Sequence, residues 1–433
     1  MKKIILVIML SLGLVIPLQA QEIKKDNLAS VKRIQTMEPG FDFNGILDSK
    51  IFTIKDKDYG LNKEKLEWYF YPKYQILLSK VLAKKNIGLF VDVEKPGYTG
   101  ENYPTLEINQ LYAKFIKGIF CLKIGRQTFG DREDLLLGLQ NDAISLGLNM
   151  PIIDLTFFIA DSNFLNAWQG RVEGLIGFIP TLRLKEEMFL KGYLLLGSDT
   201  VEITTNQGEV KNNINKLLTV GGRYTWAWIL NKSMSLDLNT QIGLQFAKAK
   251  SIYDKDIQTN ALGFKLDTQY TLKQDKFAIN LGVDVVYTTG NPDLSEETRV
   301  GFMGANNLDD TGPGLFTKIE DGGGNAAFLD TFTGGDKIKN YMGLLALGLK
   351  TDINISRFEP GLGFWFYSDT DKAGKELGIE TDQWLLYHFS DTVTFYQELA
   401  LFKPSDKSQL VKNNKEAGIK PVIKFVIGTA IIF

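Results

Sequence analysis

Residues 233–246 read SMSLDLNTQIGLQF, and their alternation constrains the chain more than any other feature. Met234, Leu236, Leu238, Ile242, Leu244 and Phe246 share one parity, while Ser235, Asp237, Asn239, Gln241, Gly243 and Gln245 share the other. Only Thr240 weakens the apolar set. Successive side chains of a strand point to opposite faces, so this segment has an oily side and a wet side. A soluble sandwich strand reads the same way over about four to eight residues, but this run is longer and has successors. Leu262, Phe264, Leu266, Tyr270 and Leu272 alternate with Lys265, Asp267 and Gln269. Phe277, Ile279, Leu281, Val283, Val285 and Tyr287 alternate with Asn280 and Asp284. Three long dyads in succession call for a sheet with lipid on one side and water on the other. The expected fold is all-β, a transmembrane antiparallel β-barrel.

The first residues fit export. Lys2 and Lys3 precede an apolar run from Ile4 to Ile16 and a small residue, Ala20. This reads as a signal peptide, residues 1–20, with a cut after Ala20; a retained membrane anchor is the alternative. No cysteine follows the cut, which argues against a lipoprotein. Past residue 20 no apolar run approaches the ~18 residues of a spanning helix. Residues 21–40 are charged and aperiodic, and read as a periplasmic lead-in to a barrel over 41–433. The expected location is the outer membrane of a diderm bacterium.

Strands are expected at 41–54, 65–79, 84–94, 105–116, 119–127, 140–149, 152–160, 169–180, 187–196, 217–229, 233–247, 258–271, 275–288, 339–351, 353–367, 378–389, 391–402 and 418–433. About eighteen follow, with sixteen as the alternative, since single-chain bacterial barrels have an even number. The gaps sort by length. Short turns fall at 117–118, Met150-Pro151, Leu230–Lys232, 272–274, Asp352 and Ser390. Long loops fall at 95–104, 128–139, 161–168, 197–216, 248–257, 289–338, 368–377 and 403–417. Short turns at one end and long loops at the other is the outer-membrane arrangement. Trp226, Trp228, Tyr270, Tyr287, Tyr387 and Phe389 cluster at strand ends, where lipid meets water. The last strand ends on Phe433, the pattern of a signal to the barrel assembly machinery. Pro72, Pro360 and Pro421 fall inside expected strands and predict bulges or strand ends, because proline removes a ladder donor.

Parity assigns the lumen. Arg171 and Glu173 oppose Val172 and Phe178; Lys191 opposes Leu190 and Leu194; Arg223 opposes Val220, Tyr224 and Trp226. Asp237, Lys265, Asp267 and Asp284 follow from the opening segments. Glu359, Glu380, Asp382 and Glu398 oppose Phe358, Ile379 and Leu399. An Arg or Lys aimed at lipid near the midplane costs about 2–4 kcal/mol, which turns these groups inward. A lumen of mixed charge suits polar solutes in an aqueous channel. The structural alternative is that these charges pair across strands and only hold the wall.

The chain resembles the alginate-export family of outer-membrane porins at Leu122-Lys123-Ile124-Gly125-Arg126-Gln127, followed by Asn141–Leu148. A second similar region runs from Leu377-Gly378-Ile379-Glu380-Thr381-Asp382 to Tyr387, then Leu399-Ala400-Leu401-Phe402-Lys403-Pro404. The resemblance implies an 18-stranded barrel and a channel for hydrophilic solutes. Arg126 joins the pore-lining set from the first motif.

Other chemistries find little footing. Net charge is −2, which gives nucleic acid no hold. One cysteine, Cys121, and one histidine, His388, make neither a disulfide nor a usual zinc site. Gly322-Gly323-Gly324-Asn325 lacks the P-loop pattern. Asp309-Asp310 and Glu320-Asp321 lack EF-hand spacing and read as a solvated loop. No cofactor is expected. The expected function is a passive porin for small hydrophilic or anionic solutes, saccharides among them. The glycine-rich 289–338 loop is its expected constriction or lid. An outer-membrane enzyme or adhesin using the barrel as a scaffold is the alternative.

Overall fold

The computed structural model describes residues 40–55, 66–81, 87–95, 107–129, 135–137, 139–161, 172–205, 208–250, 256–289, 344–370, 376–405 and 421–432. They form an eighteen-stranded sheet. The strands are β1 (Gly40–Lys55), β2 (Leu66–Val81), β3 (Ile87–Lys95), β4 (Glu107–Lys117), β5 (Phe120–Phe129) and β6 (Leu139–Asn149). β7 (Ile153–Asp161), β8 (Val172–Lys185), β9 (Met188–Thr205), β10 (Gly208–Asn231), β11 (Met234–Lys250) and β12 (Asp256–Gln274) follow. The last are β13 (Phe277–Thr288), β14 (Leu344–Ile355), β15 (Phe358–Asp369), β16 (Glu376–His388), β17 (Val393–Pro404) and β18 (Val422–Ile432). Each strand pairs antiparallel with the next, and β1 also pairs with β18, from Ile46 opposite Ile432 to Lys55 opposite Ile423. The sheet closes on itself, which removes both edges.

The gaps sort by length as expected, with two changes. Residues 197–216, expected as a loop, are mostly strand: β9 reaches Thr205 and β10 starts at Gly208. β10 alone has 24 residues, about 80 Å of extended chain, far beyond a membrane crossing. The expected turn at Asp352 is also displaced. β14 continues to Ile355, and the hairpin turns at Ser356-Arg357. Ser356 has φ 56°, as two-residue hairpin turns demand. Asp352 is instead a wall residue opposite Gly361. The signal segment, the lead-in up to residue 39, the 289–338 loop apart from Thr289, and Phe433 lie outside the described residues.

The two faces divide as alternation requires. Ile144, Ile159, Ile176, Ile242, Leu349 and Leu362 stand on the outer surface, more than half exposed. Their cross-strand neighbours of opposite parity are buried within, including Lys265, Asp284, Glu380 and Asp382. At the short-turn end Trp226 stacks on Trp228 at 4.9 Å. Phe358, Tyr387 and Phe395 form a second aromatic group there. Pro360 sits where the β14–β15 ladder passes from Asp352–Gly361 to Ile355–Phe358, so its missing donor meets an interruption already present. Pro72 lies within β2 opposite Ser49, and Pro421 precedes β18.

Candidate pore lining and constriction

The register orders the luminal charges into rows. Lys191, Arg223, Gln241 and Lys265 are successive cross-strand partners from β9 to β12. The next row towards the short turns holds Thr225, Asn239, Asp267 and Asp284. Arg223 Nε donates to Asn239 Oδ1 at 3.0 Å and ties the two rows together. Asp284 pairs with Lys350 at 2.7 Å, a luminal lysine of β14. A further row carries a hydrogen-bonded chain: Thr271 donates to Asn280, and Asn280 Nδ2 donates to Asp352 at 2.6 Å.

The acidic residues of β15–β17 are placed differently. Glu380 is fully buried and accepts from the Tyr367 hydroxyl at 3.3 Å. It stands between Trp365 and Phe402 in register. Asp382 and Glu398 are also buried. Glu359 and Asp237 lie nearer the short-turn end. Asp237 is exposed there, and Glu359 meets His388 at 3.5 Å.

Three members of the expected lining do not join these rows. Arg126 shares its parity with Ile124 and pairs with Asp142 beside Ile144, both in the outward row. Its guanidinium grips Asp142 at 3.0 and 3.3 Å. Register thus sets Arg126 apart from the rows above, in an ion pair that is itself nearly buried. Arg171 lies outside the described residues. Glu173 is in β8 at a bulge between Val172 and Gly174, and its side chain is not described.

The constriction comes from an unexpected place. In the Gly125-Arg126-Gln127 motif, Gly125 has φ 123°, and a Cβ there would collide with the Leu111 carbonyl. Gln127 Nε2 donates to the Ala143 carbonyl at 2.9 Å, and the Ser145 hydroxyl donates to Gln127 Oε1 at 2.7 Å. Beyond it Phe129 stacks on Phe158 of β7 at 4.1 Å. The following loop brings Leu135, Leu136 and Leu137 into the interior, all three buried. The Leu135 N–H donates to Gln241 Oε1 at 2.6 Å. Leu136 fills the space over Gly221 and Gly243, cross-strand partners on β10 and β11. Any side chain on either glycine would displace it. Residues 135–137 of the β5–β6 loop therefore dock on the β10–β11 wall, at the Gln241 that stands between Arg223 and Lys265.

Exposure follows the same geometry. Along β11 the luminal residues pass from exposed Asp237 through half-buried Asn239 to buried Gln241, Gly243 and Gln245. Along β16 they pass from half-buried His388 and Leu386 to buried Trp384, Asp382 and Glu380. The interior is open at the short-turn end and tightens towards the long loops. Aromatic rings narrow it further by lying over cross-strand glycines, Trp365 on Gly348 and Trp384 on Gly361.

No protein-family model matches this chain, and no curated protein matches it. Solved structures do. OprD from Pseudomonas aeruginosa, an outer membrane protein, is 12% identical with TM-score 0.55, covering 92% of this chain and 95% of its own. Acinetobacter baumannii OccAB1 is 10% identical with TM-score 0.56, covering 91% and 96%. Pseudomonas aeruginosa OpdK, solved with vanillate, is 9% identical with TM-score 0.54, covering 91% and 98%. This chain has their fold, a closed outer-membrane-type barrel.

Sequence reasoning missed several luminal residues. Lys114 and Lys123 face each other across β4 and β5, and the Lys123 ammonium lies over the Tyr112 ring at 5.3 Å. Lys350 lies within the expected strand 339–351, opposite in parity to Leu349, but was not singled out. Gln241 is polar and uncharged, so charge alone did not single it out. Three consecutive leucines in an otherwise charged loop were the available sign that residues 135–137 are buried.

Proposed function

We propose that this chain is an outer-membrane porin of a diderm bacterium, a passive channel for small hydrophilic solutes with a preference for anions. One observation carries the reading: a loop docks inside a closed barrel between two luminal cations, Arg223 and Lys265, bonded to the Gln241 side chain that separates them. A solute passing that level meets the guanidinium and ammonium beside the docked leucines. Lys191 extends the basic row. Asp237, Asp267, Asp284, Glu359, Glu380, Asp382 and Glu398 complete the proposed lining. The fold shared with OpdK, solved with vanillate, supports a carboxylate cargo. The alginate-export resemblance at Gly125-Arg126-Gln127 supports acidic saccharides as a finer class. Phe433 is proposed as the residue read by the barrel assembly machinery.

The test is reconstitution in planar lipid bilayers. Stepwise conductance, with currents reduced by added uronates more than by neutral sugars of the same size, is expected. Membranes that stay silent at saturating protein would remove the channel. Equal block by both sugars would remove the anion preference alone.

A further inference from the structure

Two outward residues disagree with their surroundings. Gln383 on β16 and Gln397 on β17 belong to the lipid-facing rows and are exposed. In register Gln383 stands between Leu362 and Leu399, and Gln397 between Leu385 and Ile427. All four neighbours are exposed aliphatic residues. The amides are diagonal neighbours, because Gln383 faces Leu399, the next outward residue after Gln397. Exposed Thr381 extends the patch. Among the other polar groups on described outward rows, Arg126 and Asp142 bond each other, and Asn260 is exposed opposite Phe246 near the start of β12.

Depth makes this costly. On the same rows the aromatic girdle begins at Tyr387, past Leu385 from Gln383, and at Phe395 beside Gln397. An outward step along a strand covers about 7 Å, and the apolar band is about 25 Å tall. Both amides therefore lie within the hydrocarbon, where lipid tails offer neither donor nor acceptor. A carboxamide carries both. Two copies of one patch related by symmetry are self-complementary, with Gln383 of one barrel opposite Gln397 of the other.

We propose that the outer face of β16–β17 is a contact between copies of this chain in the membrane, with Gln383 and Gln397 hydrogen-bonded across it. The proposal rests on the membrane-barrel reading above. Its test places Gln383→Cys on one co-expressed copy and Gln397→Cys on the other and, as a control on a distant wall, Ile159→Cys in β7. The native Cys121 is buried and leaves the background silent. Oxidation in intact outer membranes should give a disulfide-linked dimer for Q383C mixed with Q397C and none for I159C. In mild detergent the wild-type chain should migrate at the mass of two or more barrels. The double variant Gln383→Leu, Gln397→Leu should migrate as one barrel while keeping its heat-modifiable folded band. A monomeric wild type without Q383C–Q397C dimers overturns the contact. So does a leucine variant that keeps the wild-type mass, which is the outcome if the two amides serve only each other. Recovery of the chain outside the membrane fraction would instead overturn the membrane reading.

Discussion

Leu136 gives the sharpest test of the constriction. Its side chain is 2% exposed and sits over Gly221 and Gly243, while no strand ladder depends on it. Replacing a buried leucine with alanine costs about 2–5 kcal/mol, the spread depending on how far the site collapses. Here that cost falls on the docked loop rather than on the wall. Tenfold per 1.4 kcal/mol converts it to a shift of about 25-fold to about 4,000-fold towards the undocked state. The Leu135–Gln241 hydrogen bond contributes only about 1 kcal/mol and cannot hold the loop by itself. Single-channel recording of Leu136→Ala should therefore show larger or noisier conductance than wild type. Gly243→Val, which fills the socket from the other side, should act in the same direction. Both variants should keep the heat-modifiable mobility of a closed barrel. Wild-type conductance in both, with the folded band intact, would refute the docked loop as the constriction. Loss of the folded band would show that the loop supports the wall itself.

Three further outcomes follow from the charges and the outer face. Arg223→Glu with Lys265→Glu should move selectivity towards cations, measured as the reversal potential in a salt gradient; an unchanged potential removes both from the path. Lys350→Met strips buried Asp284 of its cation and leaves it facing Asp267, a loss of about 3–5 kcal/mol when one member of such a pair is removed. Lower unfolding midpoints in urea, relative to wild type, are the expected readout. Leu349→Arg places a cation in lipid at a residue 59% exposed and should cost about 2–4 kcal/mol near the midplane. Reversible unfolding from bilayers measures it, and no loss would put Leu349 elsewhere than in the apolar band.

Alternation made the wall legible because lipid and water impose opposite demands on adjacent residues. Each of the eighteen strands lies where a dyad was read. Errors arose where one of those demands lapses. In β9 and β10 the chain runs past the lipid, so parity no longer shows while the backbone ladder continues from Val201–Asn212 to Thr205–Gly208. At Asp352 turn propensity was given more weight than parity, although Ile353 and Ile355 continue the outward row. Parity assigns a charge to a face but says nothing about depth, which decides that Asp237 is exposed and Glu380 is buried. Arg126 was placed by motif and not by parity, and the motif's work is to secure the base of the docked loop. The docking itself lay beyond local reading, since Leu136 meets glycines on strands far along the chain.

The junction of β1 with β18 carries a consequence for biogenesis. Every other ladder joins neighbours in sequence and can zip as the polypeptide emerges. This one waits for the last strand, because Ile46 finds Ile432 and Ile51 finds Ile427. A polypeptide cut short before Val422 would keep its hairpins yet leave β1 and β17 each with a row of bare amides and carbonyls, a template for pairing with strangers. Closure of the wall therefore waits on one late event, the zipping of that final seam.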